Sequence, residues 1–212
     1  MEILNPLAEQ YCTDYSSSQD ALLQEIEAIT NQHHGHAHML SGKWQGKFLE
    51  MISLMINPTK VLEIGSFTGF SALSLSKGLT NNGHLHTIEI REEDAHTAQQ
   101  FFEKSSVNNQ ITLHIGNAID IIQQLDEVWD LIFIDADKVS YIEYYELTLP
   151  KLKTGGWILV DNVFFHGQVF AETVTGKNAK AIDAFNKYVA SDLRVEQVMI
   201  PIRDGLMLIR KL

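Results

Sequence analysis

From residue 61 onward, short apolar segments alternate with amphipathic ones, and this alternation limits the fold more than any other feature of the sequence. The apolar segments predict β-strands at 61–64, 85–90, 111–115, 131–134 and 157–160. The amphipathic segments predict helices at 69–77, 92–104, 118–125, 141–149 and 179–189. Parallel strands need crossover helices and are buried on both faces, so the pattern predicts an α/β fold with a mostly parallel sheet between two layers of helices.

The two ends of the chain extend this predicted core. Apolar stripes predict one helix from the Ser16–Asp20 region to about residue 29 and another at 43–56, whereas the first 40 residues are otherwise less regular. Near the other end, residues 195–200 and 206–209 flank a turn and predict a hairpin that adds an antiparallel strand. No linker or repeat interrupts the chain, which predicts one domain over residues 1–212.

Charge and cysteine content narrow the class of protein. The 212 residues carry a net charge of -11 and one cysteine, Cys12, so an intrachain disulfide is impossible, as fits a reducing compartment. Lysine and arginine are scattered, which disfavours a nucleic-acid partner. The N-terminus lacks a basic segment followed by an apolar one, and no run of about 18 apolar residues occurs. We therefore expect a cytoplasmic protein with no signal peptide and no membrane association.

The first two predicted strands end in residues suited to a nucleoside-containing cofactor. The segment from Glu63 through Gly65 to Gly69 joins a strand to a helix, where glycines allow a tight turn and a close approach to a ligand. An acid before the first glycine would repel a pyrophosphate but attract an ammonium or a sulfonium. Glu89 ends the second strand 20 residues after Gly69, close to the spacing at which an acid binds a ribose diol.

The fourth and fifth predicted strands end in oxygen-bearing side chains. Asp135 follows one strand, and Asp161 with Asn162 follows the next. If these strands are neighbours, the three side chains converge as ligands for a hard cation such as Mg²⁺ or Ca²⁺. Lys138 lies about one helical turn beyond Asp135, so both can face the same site.

Seven stretches between Lys60 and Lys211 carry a resemblance to a known family: LEIGSFTGFSAL, TIEI, IGNA, FIDADKVSYIEYY, LKTGGWILVDNVFFHGQV, AFN and DGLMLIRK. On these motifs the chain resembles the metal-dependent O-methyltransferases, which include catechol O-methyltransferase, caffeoyl-coenzyme A O-methyltransferase and many bacterial relatives. The resemblance implies a Rossmann-like class I methyltransferase fold: a seven-stranded, mostly parallel sheet with an antiparallel last strand and helices on both faces.

The resemblance also implies how the chain is organised around its cofactor. MLSGKWQGKFL is similar to the segment that folds over the cofactor, which implies an N-terminal helical lid at 1–45 and a core at 58–212 that binds S-adenosylmethionine (SAM). Implied contacts to SAM are Met39, Ser41, Glu63, Gly65, Ser66, Ser71, Glu89, Ala118 and Asp135. Implied ligands of Mg²⁺, with Ca²⁺ or Mn²⁺ as alternatives, are Asp135, Asp161 and Asn162. Family members are often homodimers, which we also expect here.

The resemblance assigns Lys138 to the catalytic base position, and we expect a nearby cation to depress its pKa. Two positions depart from the family pattern: Ser140 replaces an asparagine, and His166 stands where plant members carry an asparagine near the substrate. Residues 163–180 also lack a longer insertion that plant members have. We expect a small catechol-like acceptor, with Tyr144, Phe165 and His166 near it.

Three alternatives stay open from the sequence. A nicotinamide-dependent dehydrogenase shares the strand–glycine–helix–acid pattern, although the three-glycine fingerprint is absent. Some bacterial relatives methylate a hydroxylated uridine in tRNA, and DNVFFHG is similar to their sequence. The tract of His33, His34, His36 and His38 could make a metal-binding protein, but a polar loop leading into the lid is the simpler interpretation.

Overall fold

The computed structural model describes residues 5–212, which form eight α-helices and seven strands. The helices are α1 Pro6–Tyr15, α2 Ala21–His33, α3 Gly42–Ile56, α4 Phe70–Ser76, α5 Glu92–Lys104, α6 Ala118–Gln124, α7 Tyr141–Thr148 and α8 Lys177–Ala190. The strands are β1 Lys60–Ile64, β2 His84–Glu89, β3 Ile111–Ile115, β4 Trp129–Ile134, β5 Leu152–Asp161, β6 Val195–Ile200 and β7 Leu206–Lys211.

The strands form one sheet in the order β3-β2-β1-β4-β5-β7-β6. The pairs from β3 through to β5 are parallel, and β7 runs antiparallel to both of its neighbours. The chain builds outward from β1 in one direction and then from β4 in the other. The strand order therefore reverses between β1 and β4, which is where open α/β sheets bind ligands.

Helices cover both faces of the sheet, and each face has its own apolar core. On one face, α2 to α5 contribute side chains such as Ile26, Leu49 and Phe101, which pack against residues of the inner strands. On the other face, α6 to α8 contribute residues such as Tyr145 and Phe185. This burial on both faces explains why residues 131–134 of β4 and 157–160 of β5 are apolar without interruption.

The predicted fold class is confirmed, and the differences lie mainly at element ends and near the N-terminus. Helix α1 was not predicted, and it has no buried residue. Strand β5 begins at Leu152, five residues before the predicted start, because Leu152 already pairs with Trp129; the register then shifts, and Trp157 pairs with Leu131. The predicted end of the lid at residue 45 falls inside α3. Residues 1–4 of the predicted lid lie outside the described residues.

The strand register places the carboxyl ends of β1, β2, β4 and β5 at the same level. Ile64 pairs with both Ile88 and Ile134, and Ile134 pairs with Val160. The next residue in each strand is therefore Gly65, Glu89, Asp135 or Asp161. Gly65 is required here, because its φ is 100° and a Cβ would lie 2.0 Å from the Asp135 carbonyl oxygen.

Candidate functional site

A cavity of about 760 Å³ opens above the carboxyl ends of β1, β2, β4 and β5. Its volume lies in the range of small-molecule sites. Every site residue named from the sequence lines this cavity except Glu63. Those residues are Met39, Ser41, Gly65, Ser66, Ser71, Glu89, Ala118, Asp135, Lys138, Tyr144, Asp161, Asn162, Phe165 and His166.

Glu89 is held in place by backbone N–H groups on two sides of the cavity. Its Oε2 accepts a hydrogen bond from the Phe67 amide at 2.7 Å, while Oε1 accepts from Ile90 and Arg91 at 3.0 and 2.9 Å. The carboxylate is 5% exposed and lines the cavity. These contacts fix its orientation before any ligand arrives and leave lone pairs available for hydroxyl donors.

The glycine-containing turn supplies a second polar group to the same part of the cavity. Ser66 is 1% exposed, and its Oγ has no hydrogen-bond partner among the described residues. A buried hydroxyl without a partner costs free energy unless a ligand or water satisfies it. Ser71, in the first turn of α4, and Ala118, at the start of α6, line the cavity nearby in the fold.

The end of the lid closes one side of the cavity. Met39 ends a short 3₁₀ turn and is 43% exposed, whereas Leu40 and Ser41 are buried. Ser41 is the N-cap residue of α3. Because α3 continues directly from Ser41, the position of the lid depends on how α3 packs.

Glu63 is the residue that does not line the cavity. It is 0% exposed within β1, and its Oε2 accepts a hydrogen bond from Thr87 Oγ1 at 2.5 Å. Burial, together with the nearby charges of Asp135 and Glu89, raises its pKa to about 8. Burial thus favours the neutral form of Glu63, which lies below the cavity wall, and a direct contact with the cofactor stays a prediction.

Asp135, Lys138 and Tyr141 form a compact polar group at the end of β4. Lys138 Nζ donates to Asp135 Oδ1 at 2.9 Å and to Tyr141 Oη at 2.6 Å. Tyr141 Oη in turn donates to the Asp161 carbonyl oxygen at 3.1 Å. Lys138 thus faces the same site as Asp135, as the spacing of the two residues predicted.

The pKa of Lys138 differs from our expectation of a depressed value. Burial by itself lowers this pKa, but the effect is outweighed by Asp135, Tyr141 and Asp161, so the net shift is upward. In the arrangement seen here, Lys138 is therefore a protonated counterion of the carboxylates.

Asp161 is 2% exposed, and both of its carboxylate oxygens are already hydrogen-bonded. Oδ1 accepts from the Asn162 amide at 2.7 Å, and Oδ2 accepts from Gln45 Nε2 at 2.8 Å. Burial and the charge of Asp135 raise the pKa of Asp161 to about 6. The charges of Lys138 and Arg203 and the hydrogen bond from Gln45 lower this pKa but do not outweigh burial and Asp135.

The chain after β5 adopts left-handed backbone angles that turn it around the cavity. Asn162, Phe165 and His166 have φ values of 59°, 43° and 54°. Asp204, in the turn between β6 and β7, holds this segment by accepting from the His166 amide at 2.6 Å and from Asn162 Nδ2 at 3.4 Å. Strained backbone that is fixed by neighbouring elements is characteristic of functional sites.

A hard cation fits the donor set at the ends of β4 and β5. Asp135, Asp161 and Asn162 all line the cavity and offer carboxylate and amide oxygens, which are the ligands that Mg²⁺ and Ca²⁺ prefer. Within residues 5–212, no group of three or more histidine, cysteine or acidic side chains is arranged to hold a metal. The candidate centre therefore needs the side-chain amide oxygen of Asn162 as its third ligand.

His34, within that tract, has a different set of contacts. Its Nε2 lies 2.8 Å from Asp94 Oδ1, and its ring makes an edge contact with Phe67 at 4.6 Å between centroids. These contacts connect the end of α2 to the first turn of α5 and to the glycine-containing turn. His34 therefore helps to hold the end of α2 against α5 and the glycine-containing turn.

Sequence reasoning missed four polar residues in the part of the cavity near Asp135 and Asp161. Asp137 accepts hydrogen bonds from the Tyr144 hydroxyl and from Ser140 Oγ, and Arg203 and Asp204 line the cavity from the β6–β7 turn. The fourth, Gln45, reaches Asp161 from α3, which is 116 residues away along the chain. Asp137, Gln45 and Asp204 lie within the stretches FIDADK, MLSGKWQGKFL and DGLMLIRK and could have been found there, whereas Arg203 lies outside the quoted stretches.

Comparison with known proteins supports the same interpretation of the chain. Residues 13–212 match a family described as O-methyltransferase. A probable caffeoyl-CoA O-methyltransferase of Dictyostelium discoideum is 32% identical over 208 residues, which covers 95% of this chain and 90% of the relative.

Two solved structures share the fold over almost their full length. An O-methyltransferase from Bacillus cereus in complex with SAH is 30% identical, with a TM-score of 0.87 and 97% of each chain covered. The O-methyltransferase TomG from Streptomyces achromogenes, in complex with SAM, is 25% identical, with a TM-score of 0.88 and coverage of 97% of this chain and 96% of the other. The family match excludes the dehydrogenase alternative. This chain belongs to the O-methyltransferase family.

Proposed function

We propose that this protein transfers the methyl group of SAM to one hydroxyl of a small catechol-like acceptor, with the assistance of Mg²⁺. The observation that carries the proposal is that Asp135, Asp161 and Asn162 line the same cavity as Glu89 and Ser66. One end of the cavity suits a nucleoside, and the other suits an oxygen acceptor and a cation.

The donor end supports SAM as the cofactor. Glu89, fixed by three backbone amides, is suited to accept hydrogen bonds from a ribose diol. The unpartnered hydroxyl of Ser66 gives a polar ligand a further contact. The two solved relatives contain SAM or SAH, which agrees with this assignment.

The acceptor end supports a hydroxyl as the nucleophile. Transfer breaks the S–CH₃ bond and forms an O–CH₃ bond, and it requires the oxygen to lose its proton and to lie about 3 Å from the methyl carbon. A divalent cation at Asp135, Asp161 and Asn162 would chelate two vicinal oxygens, lower the pKa of the hydroxyl and offset the charge that holds Lys138 protonated. Lys138, hydrogen-bonded between Asp135 and Tyr141, is the group in position to accept the proton once the cation has lowered its raised pKa and it has become neutral.

Aromatic side chains support a small phenolic acceptor. Tyr144 and Phe165 line the cavity beyond the carboxylates, and His166 adds a polar side chain that is 72% exposed. Tyr144 is fixed by its hydrogen bond to Asp137. The combination gives flat apolar surface for a ring and a more open rim for a substituent.

We also propose that two copies of the chain associate. Helix α1 exposes Leu7, Tyr11 and Tyr15 on one side, at 79%, 62% and 77% exposure. Residues spaced by four share a helix face, so these three form an unburied apolar stripe. Light scattering after gel filtration measures the mass in solution; a monomer at micromolar concentration contradicts this part of the proposal.

The described residues contain no helix long and apolar enough to cross a membrane.

The deciding experiment is an acceptor screen with methyl-labelled SAM. Catechols, caffeoyl esters, nucleosides and bulk tRNA are each incubated with Mg²⁺ or with a chelator. We expect label to be transferred to catechols, with the transfer lost in chelator. Full transfer in chelator would contradict the role of the metal, and transfer to tRNA alone would replace the small acceptor with hydroxyuridine in RNA.

A further inference from the structure

Gln45 makes a contact that its place in the sequence does not suggest. It lies near the start of α3, is 0% exposed, and donates from Nε2 to Asp161 Oδ2 at 2.8 Å. Its Oε1 lies 3.5 Å from Arg203 Nη1 in the β6–β7 turn. Both ends of the amide thus have polar neighbours, which determines which end faces Asp161.

The effect of this contact is to fix the rotation of the Asp161 carboxylate. Oδ1 is held by the Asn162 amide at 2.7 Å, and Gln45 holds the other oxygen. A carboxylate bonded at only one oxygen can still turn about its last side-chain torsion, which is broad. With both oxygens held, the remaining lone pairs point in fixed directions.

Helix α3 is a rigid support for Gln45. At Gly46, an added Cβ would lie 2.5 Å from Phe70 Cε1, so α3 and α4 cross in very close contact. Further along, Leu49 is fully buried, and Ser53 Oγ donates to the Leu75 carbonyl oxygen at 2.5 Å. The amide of Gln45 is thus held against Asp161 by the packing of the whole helix.

We propose that Gln45 is a positioning residue, which orients the carboxylate of Asp161 to bind the divalent cation at the acceptor end. This inference rests on the proposed function, because it takes Asp161 as a ligand of that cation. Groups that hydrogen-bond to a metal ligand fix its direction, and their loss weakens metal binding although they never touch the ion.

A purely structural role must be distinguished from this positioning role. Removal of a buried hydrogen bond destabilises the fold in either case. Metal affinity separates the two roles, because a general loss of packing does not selectively weaken the binding of an ion at Asp161.

The test compares Gln45→Met with the wild type and with Ser53→Ala. Methionine keeps the length of glutamine but cannot donate, and Ser53→Ala removes a buried hydrogen bond from the same helix, remote from Asp161. Binding of Mn²⁺ to the protein without cofactor is measured by electron paramagnetic resonance, and binding of S-adenosylhomocysteine is measured by calorimetry.

We expect Gln45→Met to bind Mn²⁺ about tenfold more weakly, with cofactor affinity within about twofold of wild type. Ser53→Ala should keep both affinities. Equal Mn²⁺ affinity in folded Gln45→Met and wild type overturns the inference, as does an equal loss of both affinities. If the wild type binds no Mn²⁺, the proposed metal role fails instead.

A second variant keeps the test valid if Gln45→Met does not fold. Gln45→Asn retains the amide on a stem one methylene shorter, so the donor cannot reach Asp161 at the same distance. We expect a weaker but measurable loss of Mn²⁺ affinity, and unchanged affinity in this folded variant contradicts the positioning role.

Discussion

At the carboxyl ends of the strands, Asp135 and Asp161 lie beside an open cavity, whereas on β2 and β3 the histidines His84, His86 and His114 lie against one another away from it. Asp161 is buried, whereas Asp135 and the three histidines are partly buried. In the acidic region, burial and mutual repulsion raise the pKa of Asp161 to about 6. In the histidine region, burial and neighbouring imidazoles lower the pKa of His86 to about 4.

The two regions differ in how their polar atoms are satisfied. His86 Nδ1 lies 3.0 Å from His114 Nε2, and His84 Nε2 lies 2.7 Å from Thr112 Oγ1, so neutral rings satisfy one another. Asp135 is paired with Lys138 at 2.9 Å, and the charges of Lys138 and Arg203 both act on Asp161, whose pKa burial and Asp135 nevertheless raise. The histidines thus have polar partners within the chain, whereas a cation near Asp135 and Asp161 would offset the repulsion between the two carboxylates. That difference indicates which end of the sheet carries the chemistry.

The largest expected effect comes from removal of Asp161. Asp161→Ala should reduce turnover about 1000-fold, because a metal ion can contribute several kcal/mol to transition-state stabilisation. The residual rate should also be the same with Mg²⁺ and with a chelator. Methyl transfer is measured under both conditions, with Asp120→Ala, an exposed acid of α6, as the control. A variant that keeps its response to Mg²⁺ would show that the acidic region does not need this carboxylate.

Lys138 should have the next largest effect. Lys138→Met removes the proton acceptor and the counterion of Asp135, so we expect turnover to fall about 100-fold, the usual scale of general acid–base catalysis. Cofactor affinity should stay within about twofold, because Lys138 contacts Asp135 and Tyr141 rather than the donor end. Turnover and affinity for S-adenosylhomocysteine are measured beside Lys187→Met, which removes an exposed lysine. An unchanged turnover eliminates Lys138 as the base.

The alignment of the acidic region could be predicted from the sequence because it depends on strand register alone. Residues that follow neighbouring parallel strands arrive at one edge, as Glu89, Asp135 and Asp161 do. The contact of Gln45 with Asp161 could not be predicted, because it depends on how closely α3 crosses α4 at Gly46.

Sequence patterns also failed to predict a helix that buries no side chain and the depth of one side chain beneath the cavity. Helix α1 has no buried side chain, so its apolar residues did not form a core-facing stripe that could be recognised. Glu63 was placed on the correct strand, but the sequence does not show that its side chain lies beneath the cavity wall. The depth of a side chain depends on the layers that pack over it.

Replacement of Glu89 should have a smaller effect, which is confined to cofactor binding. Glu89→Gln keeps the size of the side chain but replaces one acceptor oxygen with a donor, and we expect affinity for S-adenosylhomocysteine to fall about tenfold, the scale of a hydrogen bond to a charged group. Turnover at saturating SAM should change less than in the acidic-region variants. Calorimetry with Glu92→Gln, an exposed acid of α5, provides the control. Loss of Mn²⁺ binding together with cofactor binding would contradict the separation of the two ends.

The smallest effect concerns stability in the histidine region, and its direction follows from the lowered pKa of His86. The unfolded chain binds a proton at His86 near pH 6.5, but the folded chain does so only near pH 4. Between these values the unfolded state carries more protons, so the free energy of unfolding decreases as the pH falls from 6.5 towards 4. Replacement by phenylalanine removes this proton uptake while keeping an aromatic ring beside Trp129.

Urea unfolding from pH 7.5 to 4 measures the effect as a difference between His86→Phe and wild type. A difference is needed because Glu63, with its pKa raised to about 8, acts in the opposite direction and contributes stability that is lost as the pH rises from 4.5 to 8. We expect the variant to lose less stability than wild type in acid, whereas His96→Gln, an exposed residue of α5, should follow the wild-type curve. Parallel curves for His86→Phe and wild type would mean that His86 titrates normally in the folded chain. The contrast between the histidine region and the acidic region would then rest on the carboxylates alone.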